Sequence, residues 1–339
     1  MKFFRITPAV CLCLTFLPLL LSAEALVVYS HRHYPSDDLL FAKFTEQTGI
    51  AVQVVKANAG ELIERLRAEG ENTPADILIT ADAGNLALAK AAGVLRPVQS
   101  EILTEAIPEN YRDPDNTWFG FTLRARVMIY AKDRVSPDEL STYEDLADPK
   151  WRGRLLSRSS SHIYNQSLLA SLIAANGEAA ALEWARAVRR NMARPPQGND
   201  RDQMRAVARG LADVAIVNTY YLGLLHHSPD TRDREIAKQL RVFFPNQEGR
   251  GIHMNVSGGG ITRASSRPEQ ARQFLEFLVS EEAQNTFPLT TSEFPVVPGI
   301  PFSDLQQSWG EFTVDPLNLG TLGELNPSAV RLFNRSGWE

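Results

Sequence analysis

Thiol chemistry is nearly missing from this chain. Its 339 residues include two cysteines, Cys11 and Cys13, and both fall within a stretch that reads as an export leader. Lys2 and Arg5 form a short basic start, Val10 to Leu21 is an apolar run broken by Thr15 and Pro18, and Ala23-Glu24-Ala25 fits a small-x-small cleavage pattern. With residues 1–25 removed, the chain can form no disulfide and no thiolate metal site. The apolar run is shorter than the ~20 residues that a spanning helix needs. Neither cysteine follows small residues at the end of the run, where a lipid-modified cysteine would sit. The expected product is a free protein of a Gram-negative periplasm, not membrane-spanning after cleavage and monomeric.

An excess of positive charge is also missing. The chain has 35 basic and 40 acidic side chains, and cleavage after Ala25 would leave 314 residues with a formal net charge of −6. Such a balance gives no support to nucleic acid as a partner and little to an anionic membrane surface. No Gly-x-Ser-x-Gly elbow, His-Glu-x-x-His helix or Ser-His-Asp order is present, so an enzyme is not expected. No Gly-x-x-x-x-Gly-Lys loop is present either, so any energy source must lie on partners. There is no internal repeat and no low-complexity segment.

What the chain does have is β-type runs alternating with helical patterns. Leu26-Val27-Val28-Tyr29 precedes a helix over Ser36 to Thr48, with Ser36 placed to cap it. Ile50 to Val55 precedes one over Gly60 to Glu69, and Asp76 to Thr80 precedes one over Gly84 to Ala92. A second set follows: strands at Val127 to Tyr130, Arg154 to Ser157 and Val214 to Val217, with helices over Ile163 to Ala175, Glu178 to Ala193, Arg201 to Arg209 and Gln270 to Val279. The repetition predicts an α/β protein of two lobes, each a mostly parallel sheet flanked by helices. The chain would cross between lobes near Thr122 to Arg126 and again around Gly249 to Gly260, with Gly258-Gly259-Gly260 as a turn at the second crossing. Lobe 1 is expected over 26–123 plus about 255–300 and lobe 2 over 124–254. In the remaining 301–339, a segment packs on a lobe, and from Pro288 on prolines break up regular structure.

The chemistry lies at the strand ends. His33-Tyr34, Tyr164 and Tyr220-Tyr221 each follow a strand within a few residues, and in open α/β sheets ligands bind beyond the carboxyl ends of strands. Phenolate is a hard oxygen donor whose proton leaves only at a pKa of about 10, and iron(III) is acidic enough to displace it. Convergence of these residues therefore reads as a ferric-ion site, His33, Tyr34, Tyr164, Tyr220 and Tyr221, across a cleft between lobes. Ferrous iron is left open as a second cargo.

A single tyrosine near a strand end is usually a packing residue with its hydroxyl in water, and Tyr29, Tyr111, Tyr130 and Tyr143 are assigned to that class. His31 and His226-His227 read as solvated, and His162 as helping to start a helix. Four phenolates on iron(III) would leave one surplus negative charge, which Arg124, Arg126 or Arg158 can offset as hydrogen-bond donors behind the ligands. The alternative is a binding protein of the same architecture for an oxyanion, held by Ser159 to Ser161 at a helix N-terminus, or for a polyamine. It leaves the tyrosine pair without a role.

Several segments together resemble the ferric-ion-binding periplasmic proteins of iron ABC transporters, most of all their cyanobacterial-type branch. They are Tyr29-Ser30-His31-Arg32-His33-Tyr34, Gly60-Glu61-Leu62-Ile63-Glu64-Arg65, Pro74 to Thr80, Leu140 to Leu146 with Trp151-Arg152-Gly153, Arg158 to Ser167, and Asn218-Thr219-Tyr220-Tyr221. The resemblance implies a type II periplasmic-binding-protein fold, the same five residues around iron, and delivery to an inner-membrane ABC permease with its ATPase. In the transferrin-like branch of the family a glutamate after the third strand and a borrowed anion complete the metal shell. The matching stretch here, Thr80-Ala81-Asp82-Ala83, has no glutamate, which favours a protein-only site and leaves Asp82 as a substitute ligand.

Overall fold

A computed structural model describes residues 25–32 and 34–338 of the chain. The leader assigned to 1–25 lies outside the described residues except for Ala25, as does His33. The strands are β1 (Leu26–Ser30), β2 (Val52–Lys56), β3 (Ile77–Ala81), β4 (Phe119–Ala131), β5 (Leu155–Leu156), β6 (Val214–Asn218), β7 (Leu240–Phe243), β8 (Met254–Ile261) and β9 (Phe294–Pro295). The helices are α1 (Pro35–Thr48), α2 (Ala59–Glu69), α3 (Ala83–Ala91), α4 (Glu101–Ala106), α5 (Ile163–Asn191), α6 (Asp200–Ala208), α7 (Thr219–His226), α8 (Thr231–Lys238), α9 (Pro268–Leu278), α10 (Glu281–Thr290), α11 (Asp304–Gln307), α12 (Gly320–Glu324) and α13 (Asn326–Ser336). Among the described residues no helix is long and apolar enough to cross a membrane.

The strands lie in the order β2-β1-β3-β8-β4-β6-β5, with β7 and β9 also paired to β4. β2, β1 and β3 are parallel, as are β5 and β6, and these strands lead into helices or loops that return over the sheet faces. β4 and β8 run antiparallel to their neighbours. β4 is buried along its whole length. Up to Ala125 it pairs with β8, and from Arg126 onward with β6. The change of partner falls between Ala125 and Arg126. The Tyr143 hydroxyl sits there, donating to the Arg126 carbonyl and accepting from the His253 N–H, so it links β4 to the residue that precedes β8.

Local chemistry accounts for most boundaries and corrects some. α2 opens on a capping box of Asn58 and Glu61. α1 begins at Pro35, with Tyr34 in the cap position and no side-chain cap, so Ser36 lies inside the first turn and does not cap it. Proline is well suited to the first helical position because its missing N–H would have no partner there. α5 runs across the expected break, but Gly177 interrupts it at φ 80° and ψ 163°. The tail is more regular than its prolines suggested: α10 continues past Pro288, α13 packs on α5, and α12 contacts both α3 and α5.

Gly258-Gly259-Gly260 is not a turn. The three glycines are consecutive in β8, between β3 and β4. A Cβ on Gly258 would strike the Phe119 carbonyl, one on Gly260 the Thr117 carbonyl, and one on Gly259 would come 2.6 Å from the Leu78 carbonyl. Glycine is used here for close backbone approach within a strand. Gly259→Ala is therefore expected to cost about 3 kcal/mol or more by overpacking, read as a lowered denaturant midpoint with an unchanged slope.

Candidate metal centre

The three tyrosine junctions are built alike. Tyr34 follows β1 at the cap of α1, Tyr164 is the second residue of α5, and Tyr220 and Tyr221 lie in the first turn of α7, directly after β6. Each sits at a helix N-terminus, where the positive end of the backbone dipole favours a negatively charged donor. His162 caps α5, its Nδ1 accepting from the Tyr164 N–H at 3.2 Å. That is the helix-starting role read from sequence. Its imidazole pKa is pushed down to about 2 by burial, then by the nearby Arg158 and Arg126.

These junctions bring four phenols together from positions up to 187 residues apart in sequence. The Tyr164 and Tyr220 hydroxyl oxygens are 3.3 Å apart. The Tyr220 and Tyr221 rings are 4.1 Å apart and tilted by 33°, and the Tyr34 ring stands edge-on to Tyr220 at 6.3 Å. Among the described residues no group of three or more His, Cys, Asp or Glu side chains could hold a metal ion, and the hydroxyls gathered here are phenols.

Burial pushes the phenols of Tyr34 and Tyr220 well above their usual pKa. Glu293 adds to the rise at Tyr34, and Tyr164 and Tyr221 add to it at Tyr220. Tyr221 is raised for the same leading reason. Left alone, these groups hold their protons. Cations surround them: the guanidinium carbons of Arg124, Arg158 and Arg126 lie 5.1, 5.5 and 5.9 Å from the Tyr164 ring centre. Arg32 stands 5.0 Å from the Tyr34 ring and Arg201 6.0 Å from that of Tyr221. Arg124 and Arg126 are almost fully buried, and Nε and Nη2 of Arg124 and Nε of Arg126 have no hydrogen-bond partner.

Carboxylates hold these arginines in place. Asp200 pairs with Arg126 at 2.6 Å and Arg158 at 3.4 Å, and also accepts from the Asn218 N–H at the end of β6. Glu293 bridges Arg32 at 2.7 Å and Arg124 at 3.7 Å. Sequence reading proposed Arg124, Arg126 and Arg158 but missed Arg32, Arg201, Asp200 and Glu293. Glu293 lies 261 positions from Arg32 in a segment read as irregular, so nothing local marked it. Asp82, held open above as a ligand, has both carboxylate oxygens taken by protein donors, Gly84 N–H and the Ser167 hydroxyl on Oδ1 and the Asn255 amide on Oδ2.

Two lobes joined by crossing strands, with polar side chains converging from helix N-termini, define the class of solute-binding proteins. The chain belongs to the bacterial extracellular solute-binding protein family, whose model matches residues 40–314. It is 50% identical over 312 residues to iron uptake protein A1 of Synechocystis, covering 92% of this chain and 87% of that protein. A Trichodesmium protein (IdiA, FutA) solved in complex with iron and citrate superposes with a TM-score of 0.90 at 47% identity, over 93% of this chain and all of that one. The ferric binding protein from Campylobacter jejuni gives 0.89 at 41% identity, over 93% of this chain and all of its own.

Proposed function

We propose that this chain is the periplasmic substrate-binding component of an iron ABC importer. It takes up Fe(III) on Tyr34, Tyr164, Tyr220 and Tyr221 together with His33, and delivers it to an inner-membrane permease whose ATPase drives release. It captures and hands over cargo without chemistry. The observation that carries this reading is the meeting of four phenols from three separate strand-to-helix junctions. The spare donors of Arg124 and Arg126 support it, because four phenolates on a trivalent ion carry one surplus negative charge that buried cations must offset. The iron-related names of the relatives agree with it.

The lobes in this reading are 26–123 with about 255–300, and 124–254, with 301–339 packed against them. The change of partner along β4 between Ala125 and Arg126 supports the division. Tyr34 then belongs to one lobe and the other three phenols to the second, so iron binds the closed form better than the open one and shifts the population toward it. Mixing the mature protein with ferric citrate should develop a visible tyrosinate-to-iron band, and small-angle scattering should give a smaller radius of gyration for loaded than for metal-free protein. A colourless mixture would overturn the iron reading. A coloured protein with unchanged scattering would overturn the lobe assignment.

A further inference from the structure

Asp82, outside the phenol cluster, is tightly constrained. It is fully buried and has φ 88° and ψ 127°, a backbone region that a non-glycine residue keeps only where its surroundings over-determine it. Those surroundings come from three directions. Asp82 caps α3 by accepting from the Gly84 N–H at 2.8 Å. It accepts from the Asn255 amide of β8 at 2.9 Å, while Asn255 Oδ1 accepts from the Ala83 N–H. It also accepts from the Ser167 hydroxyl of α5 at 2.6 Å. The last bond joins helices that stand on opposite sides of the change of partner in β4. Ser167 lies three residues after Tyr164, one turn on and on the same side of α5.

The contact continues beyond that bond. A Cβ on Gly84 would come 3.0 Å from the Ile163 Cδ1 and 3.3 Å from the Ser167 Oγ, so the first turn of α3 fits closely against the first turn of α5. Arg124, whose guanidinium faces the Tyr164 ring, has Nη2 4.0 Å from Asp82 Oδ2. Asp82 thus bears on the Tyr164 turn directly through Ser167 and indirectly through Arg124.

We infer that Asp82 is a positioning residue, a latch from the first lobe that docks Ser167 when the cleft closes and so holds the Tyr164 turn against the metal, rather than a ligand to it. The inference rests on the iron reading above. A latch made only in the closed form slows escape of the cargo without changing the donor atoms. A hydrogen bond to a charged acceptor is strong enough for its loss to speed escape by about tenfold or more.

The test uses the full mature chain loaded with ferric citrate and then challenged with excess EDTA, following loss of the visible band. Ser167→Ala should release iron about tenfold faster with the band maximum unmoved. Asp82→Asn should also keep its band maximum, and the double variant should release no faster than the faster single one, because both break the same contact. Release from Ser167→Ala at the wild-type rate overturns the latch, and so do additive effects in the double variant. A displaced band in Asp82→Asn would make Asp82 a ligand and also overturns it. If Asp82→Asn fails to fold, Ser167→Ala decides alone, since it removes one hydroxyl and leaves the α3 cap intact. A wild-type protein that never colours counts against the iron reading, whereas a coloured wild type with an unchanged Ser167→Ala rate counts against the latch alone.

Discussion

Tyr220→Phe protein is expected to fold normally and to lose most of its hold on ferric iron. Phenylalanine keeps the buried ring and removes only the oxygen that lies 3.3 Å from the Tyr164 hydroxyl. Removing a group behind a ligand typically costs about 10–100-fold in metal affinity, so removing a ligand oxygen should cost more than about 100-fold. Competition against citrate would measure that loss, and the visible band should weaken and shift. Tyr143→Phe provides the opposite pattern. Tyr143 is equally buried, but its hydroxyl serves the Arg126 carbonyl and the His253 N–H between the crossing strands. Its loss leaves two backbone groups unpaired at a cost of about 1–3 kcal/mol, so the variant should unfold at lower denaturant yet keep its colour. Wild-type iron affinity in Tyr220→Phe would remove that residue from the site.

Acid should empty the protein steeply. Burial first, and neighbouring acidic groups second, Glu293 at Tyr34 and the other phenols at Tyr220 and Tyr221, raise the phenol pKa values of Tyr34, Tyr220 and Tyr221 in metal-free protein. These groups therefore hold their protons throughout the physiological range. Each must give one up when it becomes a phenolate ligand, so protons are products of binding and acid drives the equilibrium toward metal-free protein. Three such phenols make the apparent affinity fall by about three decades per pH unit. Titration from pH 8 to about 4 against a competitor of known pH dependence should bleach the band over a narrow interval. A band unchanged across that range would be inconsistent with phenolate ligation.

Much of the candidate site was legible because its signal is local. His33-Tyr34, Tyr164 and Tyr220-Tyr221 stand just past apolar runs that could be recognised as strands, and a strand end in an α/β protein is where side chains meet a ligand. The structure brings the four tyrosines together, while His33 lies outside the described residues. Their second layer was only half legible. Arg124 and Arg126 stand out in the sequence, but its apolar pattern marks a strand over Val127 to Tyr130 alone, because two arginines and a glycine interrupt the run before it. In the fold these arginines are buried and held by Asp82, Glu293 and Asp200, partners that only a folded chain can supply.

The glycines of β8 and the fate of Asp82 show where local pattern stops. Three successive glycines have the composition of a turn, and only the carbonyls of Leu78, Thr117 and Phe119 close around them reveal a central strand. Asp82 has the chemistry of a hard-metal ligand, and only the approach of Ser167 from α5 and Asn255 from β8 shows both its oxygens already taken. The amino-acid sequence by itself determined which donor groups this protein offers, phenol oxygens with no cysteine after Ala25, and the strand ends where they stand, since both follow from residue type and nearby periodicity. Which phenols meet, which arginines stand beside them and which carboxylate has both oxygens taken by protein donors were decided by tertiary structure, because those contacts join residues about 40 to 260 positions apart and exist only once the chain has folded.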